Sequence, residues 1–438
     1  MRGVRHRHLA TGHLARLAGR FFLKVKKPCL YGSVILTVSK IQILLDIESC
    51  ARACFTDAPD IEHCIYCKIF FEITFFHASL VGVALSHLLF FVEEDNAATR
   101  ASLDTFVRSQ AQASPYHLSA WRAAIHAAYG HESRVLVART DGDIHGCLAY
   151  SIVKRPVGKA CWSALPFCDI GGPLAATTEL RDALELEAAR AAARAGAAGF
   201  ESRGSAATMQ PESDLAGRKV RMLLALPDNA EALMQAYPPK LRSQIRKAGK
   251  NGLDCAIEAG PDAIAAFYDV YSRNMSRLGS PPHSRLWFEA ICRYYGDDAL
   301  LAIVRHQGKA VGAGLVLRCG ARAAIPWAST LSEYNHLAPN MLLYWTIQER
   351  LCSLGVREFD FGRSTHGEGT YRFKKQWGAY PLALDWRAFN AAGQPVTPDP
   401  GAGHAQGSLR RLVEKTWQKL PLEMANTLGP RLRRYITL

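Results

Sequence analysis

The chain has 438 residues, 49% hydrophobic and 21% charged, which excludes a disordered or low-complexity protein and leaves room for two or three domains. A formal charge of +14 points to a polyanionic partner: a nucleic acid, a nucleotide-linked substrate or an anionic membrane surface. Twelve cysteines are scattered without a disulfide framework, five before residue 70 and seven after, as in a reducing cytoplasm.

Residues 1–95 are rich in Cys, His, Phe and Ile, whereas the rest is rich in Ala, Gly and Arg. Cys50, Cys54, Cys64, Cys67 and His63 are metal-ligand types, but only Cys64–Cys67 has CxxC spacing and turn residues are missing, so no metal site is expected. Residues 69–92 are long enough to cross a bilayer, yet Glu72, His77 and His87 interrupt the run. Residues 1–27 hold eight Lys or Arg and no acid, without the cleavage site of a signal peptide. Met1 is the only methionine before Met209. The segment reads as an atypical extension, mis-annotated or disordered, with translation starting at a non-Met codon near Val92.

From residue 97 the pattern is regular. Apolar spacing predicts helices over 97–111 and 117–129 and strands over 133–139, 144–154 and 160–166. An Ala-rich helix over 177–198 leads into a strand at 199–203, and 219–225 is another strand. A basic helix follows Pro238-Pro239. Helices are then expected at 261–277 and 284–295, strands at 299–305, 310–318 and 322–329, and a helix at 340–354. A strand at 356–361, a short helix at 370–377 and a strand at 381–386 close the series. Pro395–Pro400 reads as a linker. Residues 407–420 read as a basic amphipathic helix with Leu409, Leu412 and Trp417 on its apolar side, packed on the second lobe or touching an anionic membrane.

The second half repeats the first. Shifted by 166, Ser114–Gly146 aligns with Ser280–Gly312 over 33 positions without a gap. Eleven are identical: Ser114/Ser280, Pro115/Pro281, His117/His283, Trp121/Trp287, Ala124/Ala290, Ile125/Ile291, Tyr129/Tyr295, Gly130/Gly296, Arg139/Arg305, Gly142/Gly308 and Gly146/Gly312. Such a long period is a domain duplication, not a solenoid. Ser-Pro-x-His preorganises a helix start. Trp and Tyr eight residues apart share a helix face and should be core. Gly142 and Gly308 fall at hairpin tips, where positive φ is needed. Gly196-x-x-x-Phe200-Glu201 parallels Gly355-x-x-x-Phe359-Asp360, a helix stop before a strand.

Each repeat reads helix, helix, three antiparallel strands, helix, strand, then more strand. That order resembles the GNAT acyltransferase fold. Two such lobes in one chain resemble the FemAB/FemX aminoacyl- and peptidyl-transferases. The specific stretches are PPKLRSQIRKAGKNGL (238–253), LGSPP (278–282), PWASTLSEYNHLAPNMLLYW (326–345) and FDFGRSTHGEGTYRFKKQWGA (359–379). Together they look most like the FemAB-related proteins associated with exosortase/PEP-CTERM exopolysaccharide systems. The resemblance implies an α/β protein of two tandem GNAT lobes with mixed, mostly antiparallel sheets flanked by helices. Its expected division is an extension at 1–95, a first lobe at 96–235, a second lobe with the active site at 236–390, and a linker with a basic helix at 391–438.

Attack of an amine on an ester or thioester carbonyl needs oxyanion stabilisation and a proton acceptor. The resemblance assigns carbonyl and charge stabilisation to Phe373 and Lys374, with Lys375 beside them. Gly362-Arg363-Ser364 past a strand end, and the short helix opened by Gly369, Thr370 and Tyr371, are expected to cradle an anion. Lys240, Arg242, Arg246 and Lys247 form either a solvated face or a phosphate-binding one, and the resemblance favours the second. Glu333, His336, Asp360 and His366 are candidate proton acceptors, with Glu333 and His366 ahead. Trp327, Asn340 and Tyr344 are expected to line the substrate cleft.

CoA-dependent members of this fold carry a Gly-rich Arg/Gln-x-x-Gly-x-Gly/Ala loop before the helix that follows the third strand. Neither LSEYNHLAPN (331–340) nor CDIGGPL (168–174) has it. That favours aminoacyl-tRNA over acyl-CoA as donor, with no bound cofactor and no metal. The expected protein is a cytoplasmic acyltransferase, working at the inner membrane face on a nucleotide- or lipid-linked glycan or peptide precursor. The alternatives are a CoA-dependent N-acetyltransferase and a non-catalytic scaffold that binds glycan precursors or nucleic acid.

Overall fold

The computed structural model describes residues 89–93, 96–206, 208–396 and 414–437. The metal and signal readings of the N-terminal segment lie outside them, as do residues 69–88 of the membrane-span reading, whose last four residues, 89–92, are in a strand, and all of the proposed 407–420 helix before residue 414.

The first repeat begins earlier than its sequence pattern. Leu89–Glu93, assigned above to the extension, is strand β1. It pairs antiparallel with β2 (Glu132–Thr140), so these residues belong to the first lobe's sheet. Between them lie helices α1 (Ala97–Ser109) and α2 (Ser119–Tyr129). Then follow β3 (Asp143–Val153), the short β4 (Cys161–Ser163) and β5 (Leu174–Ala175), α3 (Thr178–Arg194), β6 (Gly199–Ser205) and β7 (Lys219–Ala225). Two helices come next, α4 (Ala230–Ala236) and the basic α5 (Pro239–Lys250).

The second repeat is β8 (Leu253–Glu258), α6 (Pro261–Leu278), α7 (Arg285–Tyr295), β9 (Ala299–His306), β10 (Lys309–Cys319), β11 (Arg322–Thr330), α8 (Pro339–Ser353), β12 (Glu358–Thr365), α9 (Gly369–Lys375) and β13 (Tyr380–Phe389). A two-residue strand, β14 (Pro395–Val396), pairs with β13, and α10 (Leu422–Arg433) ends the chain. The sequence pattern did not reveal α4, β8 or α10. The first two are short and α10 is interrupted by Pro430, so none carries a long periodic stripe.

Local chemistry explains the repeated residues. Ser114 and His117 form reciprocal capping contacts before α2; in the second copy the cap of α7 is Ser284, outside the repeated set, through the Trp287 amide. The β2–β3 tip places Asp141 and Gly142 at φ 51° and 92°, and the β9–β10 tip places Gln307 and Gly308 at 51° and 80°, the two-residue hairpin turn expected at these glycines. Arg139 bonds the Gly142 carbonyl and pairs with Glu93 at 2.7 Å. Arg305 does the same with the Gly308 carbonyl and Glu258, at 2.8 Å for the ion pair. The duplication therefore extends back to β1 and β8.

One strand path runs through both lobes in the order β1-β2-β3-β4-β6-β13-β7-β12-β11-β10-β9-β8. It is antiparallel except at β4–β6 and β11–β12. The closing strands are exchanged: β7 of the first repeat pairs with β12, and β13 of the second with β6. On one face, α2 and α7 meet across the lobe boundary. Trp121 and Trp287, both fully buried, touch edge to face at 5.0 Å. Tyr129 and Tyr295 reach into the opposite repeat, to His283 and to the Pro115 carbonyl. The shared residues thus build the joint between the lobes, not two separate cores.

Candidate functional site

Both parallel pairs are forks. Strands β4 and β6 pair only as far as Ser163 and Glu201, and β11 and β12 only as far as Ala324 and Asp360. Beyond those residues the strands diverge. The first fork is filled. Residues 160–166 were expected as one strand, but the strand stops at Ser163. Leu165 and Phe167 then take positive φ and turn the chain back. The Gly171 and Gly172 amides bond the Arg203 carbonyl, and the C-terminal Thr437 carbonyl accepts from the Phe167 amide and Arg203.

The second fork keeps half-buried walls at Pro326, Trp327, Gly362 and Arg363. Gly362, at φ 77°, breaks the register between β12 and β7 and turns the chain outward. Beneath it, Asp360 pairs with Arg221 of β7 at 2.9 Å and accepts the Gly362 amide at 2.8 Å. Both side chains of that ion pair are buried. Asp360 is therefore tied down under the turn; it does not face the cleft, which corrects its assignment as a substrate ligand or base.

Lys374 also departs from expectation. Its side chain is buried, and the Nζ donates to the Gly362 carbonyl at 3.0 Å and the Arg363 carbonyl at 2.8 Å. Burial lowers its pKa to about 8; Asp360 and Asp169 oppose that shift and Arg363 adds to it. The ammonium clamps the turn from behind. Lys374 therefore takes no part in the anion cradle expected at the start of α9, because its ammonium is held by backbone oxygens. Lys375 is exposed, and its Nζ meets Glu212 and the Tyr371 hydroxyl. Phe373 is half-buried against Tyr344, ring centroids 5.3 Å apart.

Arg363 is the cation left at the fork's surface. The first lobe holds it. Asp169 accepts its amide at 3.3 Å and pairs with its guanidinium at 3.4 Å. Its guanidinium also sits over the Trp386 ring at 5.2 Å, and the Trp386 Nε1 donates to the Asp169 carbonyl. Trp327 lies on the same face as the lobe joint, near His283 and Phe288. Behind it the Arg433 guanidinium donates to His283 Nε2 at 3.1 Å. Burial and this arginine hold His283 neutral, its pKa well below the ordinary imidazole value.

The remaining candidates are dispersed. Ser364 and Tyr371 are buried, and the His366 ring lies against Tyr371 at 4.5 Å. Tyr344 is buried and its pKa is raised by desolvation. Asn340 is half-buried in the first turn of α8. Glu333 and His336 are exposed on the 3-10 turn Ser332–Leu337 and bond nothing among the described residues. The connection into α8 is that turn followed by Ala338 at φ 62° and Pro339, with no glycine-rich loop. On α5, Leu241, Ile245 and Ala248 face the core. Lys240, Arg246, Lys247 and Lys250 are exposed and Arg242 half-buried, and none has an acidic partner among the described residues. A surface cleft of about 600 Å3 lies beside α9, lined by Leu226, Leu233, Tyr237, Trp377 and Lys375; no fork residue forms its walls.

Asp169, Arg221, Trp386 and Arg433 were not singled out from sequence. Each acts across the lobe boundary or from the tail, and chain distance hides that. Among the described residues no group of His, Cys, Asp and Glu could hold a metal ion, and no helix is long and apolar enough to cross a membrane.

This is the GNAT fold, built twice in one chain. A family model described as an acetyltransferase (GNAT) domain matches residues 239–375, from α5 through α9. The structure is similar to the crystal structure of FemX, with a TM-score of 0.54 and 15% identity, covering 74% of this chain and 100% of that one. It also matches the C-terminal domain of a putative lysylphosphatidylglycerol synthetase from Agrobacterium fabrum (TM-score 0.45, 18% identity, 73% and 97% covered). A tandem GNAT protein from the clavulanic acid biosynthesis pathway matches with TM-score 0.44 and 14% identity, covering 71% of this chain and 100% of that one. No curated protein matches the sequence.

Proposed function

We propose that the protein is a FemAB-type N-acyl transferase that moves an aminoacyl or peptidyl group onto an amine of a cell-envelope or exopolysaccharide precursor carried on a nucleotide or lipid. The observation that carries this reading is the contrast between the forks: the first is plugged by the chain's own tail, while the second has half-exposed walls with Arg363 at its turn. The amine attacks the acyl carbonyl, a C–N bond forms, the ester C–O bond breaks, and the ammonium proton leaves with the alcohol. Asp360 and Asp169 are both paired with arginines, which supports proton transfer through substrate groups or water, with Glu333 and His366 as outer acceptors. Lys374 serves as a positioning residue for the Gly362–Arg363 turn, and Phe373 packs beside it. The cations Lys240, Arg242, Arg246 and Lys247, without an acidic partner among the described residues, suit the phosphates of tRNA. The absent glycine-rich loop favours that donor over acyl-CoA.

A CoA-dependent N-acetyltransferase is the second reading, favoured by the acetyltransferase model over 239–375. The purified chain is offered labelled aminoacyl-tRNA, or labelled acetyl-CoA, with an amine-bearing nucleotide-linked sugar peptide. Label is expected from tRNA, and Arg363→Ala lowers the rate by about a hundredfold. Label from acetyl-CoA alone establishes the second reading, and label from neither removes both.

A further inference from the structure

The terminal helix α10 is anchored along one side and bare along another. Ala425 and Gly429 are buried, and a side chain at Gly429 would collide with Pro282. Beyond the helix the Arg434 guanidinium donates to the Tyr129 carbonyl at 2.6 Å, and Arg433 to His283. The helix is therefore a fixed part of the fold.

Met424, Leu428, Leu432 and Ile436 follow one another at intervals of four and are 48%, 39%, 49% and 39% exposed. Within the helix that spacing puts Met424, Leu428 and Leu432 in one row about 12 Å long, and Ile436 follows in the turn after the helix ends at Arg433. A single exposed leucine needs no explanation, but a continuous apolar row does. The surface of the described tail is cationic: Lys415, Lys419 and Arg431 are exposed there, against one exposed acid, Glu423. Two copies of a chain with charge +14 would bring like charges together along this row. An anionic bilayer would neutralise them instead.

We propose that the Met424–Ile436 row is a docking surface for anionic lipid, lying in the interfacial plane with its apolar side chains among the acyl chains and the neighbouring cations at the head groups. Because α10 is already folded and stitched to both lobes, docking costs no ordering of the helix. The same tail closes the first fork through Thr437 and reaches His283 behind Trp327, so docking holds the second fork's Trp327 side at a set distance from the membrane. The inference does not rest on the transferase reading.

The test is sedimentation of the full chain with vesicles of phosphatidylcholine alone, or mixed with phosphatidylglycerol. Binding to the anionic vesicles is expected, weakening with salt. The Leu428→Asp/Leu432→Asp variant should bind about tenfold more weakly or less, with its circular dichroism unchanged. Val157→Asp, at an apolar residue 87% exposed in the first lobe, should bind as the unmodified chain does. Should the double aspartate variant not fold, Leu432→Ser/Ile436→Ser reads the same effect. Three results would overturn the proposal: no binding by the unmodified chain, binding untouched by the substitutions, or a solution dimer that the substitutions dissolve.

Discussion

In the first lobe the strand fork is occupied by residues 164–172 and the C-terminal Thr437, whereas in the second the equivalent walls stay half-exposed. The duplicated histidines differ in the same sense. His117 stays within its repeat, bonding Ser114 and the Gly172 carbonyl. His283 bonds Tyr129 of the other repeat and receives Arg433 from the tail. At the fork bases, Glu201 is partly exposed and Asp360 is buried with Arg221. Duplication supplied a nearly symmetric frame, and the path of the tail leaves the two forks differently covered.

The largest effect is expected at the joint. Trp121→Ala and Trp287→Ala should each destabilise by about 3–5 kcal/mol in urea unfolding, from lost burial and the cavity left. Because the rings touch, the double variant should fall short of the sum by about 0.5–3 kcal/mol. Additive losses would mean that the lobes do not share this core.

The fork bases should then separate. Asp360→Asn leaves Arg221 as a buried charge without its partner, a loss of about 3 kcal/mol. Glu201→Gln, whose side chain is 40% exposed, should cost less than about 1 kcal/mol. Equal losses would remove the distinction between the two forks.

The histidines add a pH dependence. Burial lowers His117 to about 4 and also holds His283 low. Below the unfolded value of 6.5 the unfolded chain takes up protons that the folded chain refuses. Stability is therefore complete above pH 6.5 and falls as pH drops toward 4. His117→Gln should flatten the fall in Tm across that window, recovering about 1–3 kcal/mol of its pH dependence. An unchanged slope would show that His117 is not the group involved.

The smallest effect tests the symmetry itself. Glu93→Gln and Glu258→Gln remove matching ion pairs with Arg139 and Arg305, and each should cost about 0.5–1 kcal/mol. A loss at Glu258 alone would detach β1 from the repeat.

Much of the frame was legible before any coordinates. Gly142 and Gly308 marked their hairpins because a two-residue turn requires positive φ, a local demand visible in local sequence. Periodicity located α2, α7 and the long strands for the same reason. The strand at 160–166 was overextended because Leu165 and Phe167 look like strand residues, and only tertiary packing turns them back. The basic α5 was legible as a helix, and its cations do face outward. At the fork, Arg363 was found by its motif, but the Asp169 that holds it was not: 194 residues separate them, and no spacing rule spans that interval.

By itself, then, the sequence determined the duplication, the order of most elements and the buried helix faces, because turns, caps and helical faces are set by neighbours along the chain. Tertiary structure decided what those residues do. The exchange of β7 and β13 put Arg221 under Asp360, burial turned Lys374 from a surface cation into a clamp on backbone carbonyls, and the tail closed one fork. Each of these depends on desolvation and on contacts between distant segments, which arise only when the chain has folded.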